Sequence, residues 1–446
     1  MLKLFTVGLG LLLLSGCASY GVIDNAPLTE ATSTESYSIK NVHASDDNSG
    51  EIFMVLAFSG GGTRAAALAY GVLEELRDTT VVIDGVPRRL LDEVDTISSV
   101  SGGSFTSAYY GLYGERTFED FREDFLTRNI EGSLVRGLFN PLRWFSTKGR
   151  TEMAVELYDK HVFHDATFAD MQRADGPLIL INASDLGYGV RFSFVQEYFN
   201  LLCSDINSFP VSRAVTASTA VPIMFHPIVV EIYHDCKTAG KPEWLTAAQK
   251  RLADDPDMSQ VLGGLDTYYN DDSRQYAHFV DGGITDNLGL RAPYEVVAAA
   301  GGAANFSSKF MRKAPRHMAI ISVDASANPE PEMDRSNKQP GLSETIGAMS
   351  NVQLHRYNDA TLQLIHNKIG TWAEAMSTPE RPVTPHFIRF SFEELEQPEA
   401  LQYFNDIPTS FKLSEEQVDR LIEADHELLR NDPGYQRLLA DLGGGN

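Results

Sequence analysis

Short runs of apolar residues alternate along the chain with longer stretches whose apolar positions recur every three to four residues. The first run covers residues 52–58 and is apolar at every position, which is typical of a strand buried on both faces of a sheet. Further strands are predicted at 96–100, 178–182, 191–195, 224–232, 278–280 and 318–323. Helices are predicted at 65–77, directly after residue 100, and at 211–218, 344–369 and 414–430. This alternation predicts an α/β fold, a three-layer α/β/α sandwich with a largely parallel central sheet.

The same patterning divides the chain into four parts. Residues 1–16 combine a short basic start with an apolar stretch, and residues 17–51 are polar without periodicity, which predicts a flexible tether. The folded body begins at residue 52, with a main domain expected at 52–300 and its α/β continuation at 301–446. Residues 242–273 contain many Asp and Gly residues and are expected to form a surface insertion.

The charge balance limits the classes of partner. Among 446 residues, 37 are Lys or Arg and 61 are Asp or Glu, so the formal net charge is −24. A nucleic-acid-binding surface must be basic, and this composition argues against one. The same charge argues against electrostatic adsorption to anionic lipid headgroups. A membrane role would therefore need another means of attachment.

The N-terminus offers that attachment. Residues 4–14 are apolar but too few to span a bilayer, and Leu-Ser-Gly-Cys follows at 14–17. This pattern resembles the lipobox of bacterial lipoproteins, which implies that Cys17 is acylated and becomes the mature N-terminus. Ala18 is not the aspartate linked with inner-membrane retention in enteric bacteria, so the outer membrane is favoured. The alternative is an ordinary secretory signal with a chance cysteine.

Two further cysteines, Cys203 and Cys236, lie within the folded body. In an exported protein two thiols can form a disulfide, and we expect one here. The alternative is a pair of buried free thiols. Neither cysteine has the neighbours of a nucleophile or of a metal site.

A candidate nucleophile follows the second predicted strand. Ser101 stands in Ser-Val-Ser-Gly-Gly, with the small residues Ser99 and Gly103 two positions on either side. A strand-to-helix elbow needs small residues there, because strand and helix pack closely around an exposed serine hydroxyl. The alternative is a flexible loop.

A glycine run lies between the first strand and the first helix. Gly60, Gly61 and Gly62 precede Thr63 and Arg64, and bare backbone N–H groups at a helix start suit an oxyanion. A phosphate loop would need Gly-Lys-Ser/Thr, which is lacking. A dinucleotide fingerprint would have Ala65 in place of its last glycine, a replacement that this fingerprint tolerates.

Asp281 ends a predicted strand and precedes two glycines, which places its carboxylate on a tight turn at the sheet edge. Partial burial would raise its pKa toward that of a general base, although a turn-forming Asp-Gly is the common alternative. A serine triad would instead need a histidine; His226, His278, His317 and His386 are available, but none lies in a recognisable catalytic setting.

Gly-Gly-Gly-Thr-Arg, Ser-Val-Ser-Gly-Gly and Asp-Gly-Gly, in this order, resemble the motifs of the patatin-like phospholipases, as does Ala-Ser-Thr-Ala-Val-Pro-Ile-Met-Phe at 217–225. The likeness covers about residues 52–294. It implies a Ser–Asp dyad without histidine, with Ser101 as nucleophile and Asp281 as base. It also implies that Gly60, Gly61 and Gly62 donate to the oxyanion and that Arg64 supports the loop or the developing charge.

The resemblance implies calcium-independent cleavage of acyl esters in membrane phospholipids, with no cofactor and no metal. A lipase, thioesterase or acyltransferase using the same dyad stays open, as does an inactive lipoprotein that binds acyl chains or proteins. Aromatic and basic residues interleave at 134–145, which suits a membrane-facing lid or, equally, a helix-turn packed on the core. Nothing in the sequence indicates an oligomeric state.

Overall fold

The computed structural model describes residues 20–29, 36–41, 48–130, 132, 149–173, 175–222, 224–329 and 332–443. The expected signal segment 1–16, the lipidation candidate Cys17 and the expected lid at 134–145 lie outside these residues.

A central sheet of eight strands organises the described part of the chain. The strands are β1 (Ala26–Pro27), β2 (Ile52–Phe58), β3 (Thr80–Ile83), β4 (Val86–Arg89), β5 (Val94–Val100), β6 (Leu178–Asp185), β7 (Arg191–Ser193), β8 (Ser204–Asp205), β9 (Ile228–Glu231), β10 (Tyr276–Val280), β11 (His317–Asp324) and β12 (Thr384–Ser391). The order across the sheet is β12-β11-β2-β5-β6-β10-β9, and β7 pairs with β6. The pairs from β12 to β6 are parallel, whereas β10, β9 and β7 pair antiparallel to their neighbours. Two short two-stranded ladders, β1 with β8 and β3 with β4, lie outside it.

Helices flank this sheet. They are α1 (Gly62–Asp78), α2 (Gly102–Tyr113), α3 (Thr117–Phe121), α4 (Arg150–Tyr158), α5 (Gln196–Phe199), α6 (Val211–Ser218), α7 (Glu243–Arg251), α8 (Pro256–Asn270), α9 (Gly283–Asp286), α10 (Arg291–Ala300), α11 (Ala303–Phe310), α12 (Leu342–Met376), α13 (Pro398–Asn405), α14 (Glu415–Asn431) and α15 (Pro433–Asp441). Single turns of other helix types link several of them.

The two faces of the sheet are covered by different helices. Successive side chains of a strand point to opposite faces. On one face, Phe53 of β2 packs against Phe306 of α11, with ring centroids 5.7 Å apart. On the other, α2 approaches β6 so closely that a Cβ at Gly111 would lie 2.6 Å from Cγ1 of Ile179. The predicted α/β sandwich with a largely parallel sheet is confirmed.

Two regions differ in detail from the expectation. The strand expected at 224–232 is only Ile228–Glu231, because the chain before it turns through a loop beside the sheet edge. The expected surface insertion at 242–273 consists of two helices, α7 and α8, whose apolar residues pack into the core. Met258, Leu262 and Leu265 recur at helical spacing and are at most 2% exposed. The region lies at the surface as expected, and one face of each helix packs on the core.

The described pieces of the expected tether pack on the body. Residues Ala26 and Pro27 pair with β8, and the Asn25 amide donates to the Glu231 carbonyl at 2.9 Å. The Tyr37 hydroxyl donates to the Ile179 carbonyl at 3.0 Å and accepts from the Ile179 N–H at 2.7 Å. These contacts satisfy polar groups at the sheet edge, so the flexible-tether expectation does not hold for these residues.

Cys203 and Cys236 form a disulfide, which confirms that prediction, and their Cα atoms are 5.4 Å apart. The bond joins the turn after α5 to the segment that follows β9. Among the described helices, none is long and apolar enough to cross a bilayer.

Candidate active site

The turn between β5 and α2 presents Ser101 in a strained conformation. Its φ of 49° and ψ of −120° lie where residues with a side chain are uncommon. The preceding strand is fully buried, and the serine itself is 6% exposed. A sharp strand-to-helix turn of this kind holds a serine hydroxyl at the carboxyl edge of a sheet.

Close packing around the turn explains the small residues on either side of the serine. A Cβ at Gly102 would lie 2.0 Å from the Gly62 carbonyl oxygen, and one at Gly103 would lie 2.7 Å from Cβ of Phe58. Ser99 fits because its hydroxyl is fully buried and accepts a hydrogen bond from the Ser107 hydroxyl at 2.6 Å. The elbow therefore requires glycine at 102 and 103 and a small residue at 99.

Asp281 faces the serine from the end of β10. The Ser101 hydroxyl donates to Oδ2 of Asp281 at 3.0 Å. The other carboxylate oxygen, Oδ1, accepts the Gly283 N–H at 2.8 Å, which fixes the carboxylate in the turn after the strand. The structure thus brings together two residues that the sequence places far apart.

Burial changes the acidity of this carboxyl group. Asp281 is 9% exposed, and removal from water raises its pKa from 3.8 to about 6, because the charged form loses solvation. The hydrogen bonds from Gly283 and Ser101 lower the pKa and oppose part of that rise. The group is ionised at neutral pH yet basic enough to accept a proton from an attacking hydroxyl.

Ser218 holds the elbow in place, a role that sequence reasoning missed. It is the last residue of α6, and its hydroxyl accepts the Ser101 N–H at 2.8 Å while donating to the Asn182 carbonyl at 2.6 Å. Its own carbonyl accepts the Gly282 N–H at 3.1 Å, next to Asp281. One residue therefore joins the turn that carries Ser101 to the turn that carries Asp281. The only signal in the sequence was the place of Ser218 in the 217–225 stretch.

A buried polar network lies beneath this arrangement. The Arg191 guanidinium donates to the Asn182 side chain at 3.1 Å and to the Glu295 carboxylate at 2.7 Å. All three residues are at most 4% exposed. A buried ion pair with its hydrogen bonds satisfied rigidifies the part of β6 that carries Asn182.

The glycine loop needs one correction. The Gly60 N–H, expected to donate to an oxyanion, donates instead to the Asn287 carbonyl at 2.9 Å. Asn287 lies above the loop, where its Oδ1 would be 2.7 Å from a Cβ at residue 60. Sequence reasoning missed this residue, because nothing near it in the chain indicates the contact.

Three backbone N–H groups near the serine remain open to a ligand. Among the described residues, no protein acceptor binds the N–H groups of Gly61, Gly62 or Gly102. Gly61 and Gly62 have φ values of 143° and 62°, conformations that favour glycine. All three stand at helix starts, where the helix dipole favours negative charge.

Arg64 supports the loop rather than facing the serine. Its guanidinium donates to the Ala325 carbonyl at 2.9 Å, to the Ile407 carbonyl, and to the Thr409 hydroxyl at 3.1 Å. These contacts tie the first turn of α1 to segments after β11 and α13. Of the two roles expected for Arg64, the geometry fits loop support.

Among the described residues, no histidine bonds to the Ser101 hydroxyl or to the Asp281 carboxylate. The hydroxyl bonds to the carboxylate, and the carboxylate also accepts the Gly283 N–H. His317 and His386 lie in the amino-terminal halves of β11 and β12, whereas Ser101 follows the carboxyl end of β5. Among the described residues, His317, His386 and Asp441 are close enough together to hold a metal ion, and this cluster also lies at the end of the sheet far from Ser101.

Comparison with known proteins adds a family context. A family model described as patatin-like phospholipase matches residues 56–294. No curated protein matches the chain by sequence. A solved human GIVD cytosolic phospholipase A2 is similar with a TM-score of 0.44 and 12% identity, over 88% of this chain and 62% of that chain. The same enzyme in complex with methyl gamma-linolenyl fluorophosphonate gives 0.37 and 15%, over 88% and 59%. The chain thus spans less than two thirds of the length of this relative.

Proposed function

This chain belongs to the patatin-like phospholipase family, whose model matches residues 56–294 of its 446 residues, and from that premise we propose that it is a serine hydrolase of membrane lipid esters. Ser101 is the nucleophile and Asp281 the general base. The observation that carries the proposal is the 3.0 Å hydrogen bond between the two side chains at a strained elbow. An aspartate with a pKa raised to about 6 suits that base.

The first chemical step is acylation. Asp281 Oδ2 takes the Ser101 proton while Oγ forms a bond to the ester carbonyl carbon, and the carbonyl oxygen gains the negative charge. Collapse of this tetrahedral species breaks the bond to the alcohol oxygen. The proton held by Asp281 passes to that oxygen, so an alcohol or lysophospholipid leaves and an acyl-serine remains.

Charge on the tetrahedral species needs donors that are already in place. The N–H groups of Gly61, Gly62 and Gly102 support this role, because they are open and stand at helix starts. Gly60 is left out of this set, since its N–H is bonded to the Asn287 carbonyl. Arg64 acts through the loop that it anchors.

The second step releases the fatty acid. Asp281 takes a proton from a water molecule, whose oxygen attacks the acyl-serine carbonyl carbon. Collapse of this second intermediate breaks the bond to Ser101 Oγ, and the proton returns from Asp281 to the serine. The enzyme is regenerated, and no metal ion is required by these steps.

An apolar rim beside the dyad supports a lipid substrate. Val221, Met224 and Ile284 are 38%, 53% and 53% exposed, although each is an apolar residue. Val221 and Met224 lie in the loop after α6, and Ile284 lies three residues after Asp281. Exposed apolar side chains at the edge of a site favour contact with acyl chains or a bilayer.

Attachment to a membrane would bring the site to such a substrate. We propose that Cys17 is lipidated and that the protein is anchored in the bacterial cell envelope, at the outer membrane. A net charge of −24 does not favour adsorption to anionic lipids, so a covalent anchor would supply the binding energy.

The test is product analysis on defined substrates. The full-length protein in detergent is incubated in separate reactions with phospholipids of known headgroup and acyl chains, with a neutral glyceride and with an acyl thioester. The products are separated by liquid chromatography and identified by mass spectrometry. We expect free fatty acid and lysophospholipid from the wild type and none from Ser101→Ala. Preference for the glyceride or the thioester would instead assign a lipase or a thioesterase, and no hydrolysis of any substrate would contradict the proposal.

A further inference from the structure

Three side chains that are able to bind a metal meet at the end of the sheet far from Ser101. His317 begins β11, His386 lies near the start of the neighbouring β12, and Asp441 is the last residue of α15. One ligating atom of each lies within 4.8 Å of the other two. Three separate elements thus present two imidazoles and one carboxylate to one point.

The imidazole nitrogens in this cluster lack the partners that buried polar atoms normally have. Within the described residues, Nδ1 of His317 and Nε2 of His386 are buried and have no hydrogen-bond partner. His386 is 7% exposed, and its Nε2 lies 3.6 Å from the nearer oxygen of Asp441, which is too long for a hydrogen bond. A buried polar atom without a partner costs free energy and calls for an explanation.

A bound ion would account for the 3.6 Å between His386 and Asp441. Ligands held about 2.0–2.1 Å from a tetrahedral Zn²⁺ lie roughly 3.4 Å from one another, close to the separation of His386 and Asp441.

We propose that His317, His386 and Asp441 form a zinc site, with water in the fourth position. Two imidazoles and one carboxylate suit Zn²⁺, whereas Ca²⁺ and Mg²⁺ require mainly oxygen ligands. Water has access to the open position because the Asp441 side chain is 47% exposed.

The ion ties the last described helix to the sheet. α15 packs on β12, and Asp441 lies at the carboxyl end of α15. An ion bound by Asp441 and by both histidines would therefore hold α15 against β11 and β12. The site lies at the opposite end of the parallel strands from Ser101. It does not depend on the proposed hydrolase activity.

Charged residues around the cluster affect how tightly it should bind zinc. The positive charge of Arg437 is felt at His386 and that of Arg316 at His317, and both charges repel a bound cation. Glu51 and Asp441 favour it, and Arg316 is itself paired with Glu51 at 3.2 Å. Replacement of Arg437 by glutamine should therefore strengthen zinc binding.

The experiment measures zinc affinity of the full-length, tag-free protein in detergent, after treatment with a chelator, by competition with a chromophoric zinc indicator. The variant is Asp441→Asn, chosen because this half-exposed residue can be changed without a cavity. His366→Asn, an exposed histidine on α12 outside the cluster, is the matched control. Ca²⁺ and Mg²⁺ are tested in parallel by thermal unfolding.

We expect one high-affinity zinc ion in the wild type and the His366→Asn control, and an affinity at least roughly 100-fold weaker in Asp441→Asn. At a free zinc concentration of about 100 times Kd, the unfolding midpoint of the wild type should rise by roughly 2–4 °C, with no rise in Asp441→Asn. Ester hydrolysis should be equal in all three proteins. The absence of zinc binding, or equal affinity in Asp441→Asn, would overturn the proposal.

Discussion

A buried carboxyl group at Asp281 combines a chemical role with a cost in stability. Its pKa is raised to about 6 because burial disfavours the charged form, and the bonds from Gly283 and Ser101 only partly compensate. The same property that makes the carboxylate a competent base makes its ionisation unfavourable to the fold. Activity and stability should therefore respond to pH in opposite directions.

Activity should decline in acid as Asp281 becomes protonated. Below a pH of about 6, kcat/KM for a soluble ester should fall about tenfold for each pH unit, because only the ionised carboxylate accepts the serine proton. A pH–rate profile at fixed ionic strength measures this limb. Constant kcat/KM down to pH 4.5 would contradict the role of Asp281.

Asp281→Asn should remove activity and increase stability. The folded pKa of Asp281 lies above its unfolded value of 3.8, so this group's contribution to stability is present below that value and is lost as pH rises through about 6. At pH 8 the free energy of unfolding should increase by up to about 3 kcal/mol in the variant. Urea denaturation measures it.

The control for this variant is Asp254→Asn, since Asp254 is exposed and lies outside the site. The difference between Asp281→Asn and wild type should shrink below pH 4, where the wild-type carboxyl is protonated. An inactive variant that is less stable than the wild type at pH 8 would show that Asp281 ionisation does not strain the fold.

At the scale of elements, the end of α6 connects the two turns of the site. The Ser218 hydroxyl accepts the Ser101 N–H and donates to the Asn182 carbonyl of β6, and the Ser218 carbonyl accepts the N–H of Gly282 in the turn after β10. A helix end, a strand and two turns are thus joined at one residue. The position of Ser101 relative to Asp281 depends on this junction.

Ser218→Ala should lower kcat roughly 10- to 100-fold with little change in KM. The change leaves the Ser101 N–H without its acceptor, and a buried unpaired donor costs about 1–3 kcal/mol. The strained elbow would shift to relieve this cost, and the shift would move the Ser101 hydroxyl away from its position beside Asp281 and slow the reaction. Steady-state kinetics on a soluble ester give both constants. Ser308→Ala, an exposed serine on α11, is the control, and an unchanged kcat in Ser218→Ala would contradict this role.

The sequence predicts the strands and helices that carry the site because their patterns are local. Residues 52–58 are apolar throughout and form β2 as expected, and the elbow at Ser101 follows from its small neighbours. The contact between Gly60 and Asn287 is long-range, so no local pattern indicates that this glycine N–H is occupied. The sequence did not indicate α8, because Asp and Gly residues interrupt its apolar positions.

At the scale of the whole molecule, the sheet collects residues from distant parts of the chain. β11, from the C-terminal third, pairs in parallel with β2 on one side and with β12 on the other, and it brings the loop that follows it against Arg64. Which residues meet at an edge is decided by strand order, and strand order depends on packing over the entire body. The site thus rests on the full α/β body.

The disulfide between Cys203 and Cys236 should stabilise that body measurably. It closes a loop with a sequence separation of 33, for which the chain-entropy model gives about 3–4 kcal/mol. The Cys203→Ser/Cys236→Ser double variant should lose that amount of unfolding free energy in urea while keeping hydrolytic activity at low temperature. Unaltered stability would show that the closed loop contributes nothing.

The central claim, that Ser101 is the nucleophile activated by Asp281, is tested most directly by covalent trapping. The protein is treated with an alkyl fluorophosphonate, which phosphonylates activated serines with loss of fluoride, and the modified peptide is identified by tandem mass spectrometry. We expect a single stoichiometric adduct on Ser101, formed much more slowly in Asp281→Asn. An adduct on another residue, or equal labelling of Ser101 in Asp281→Asn, would contradict it.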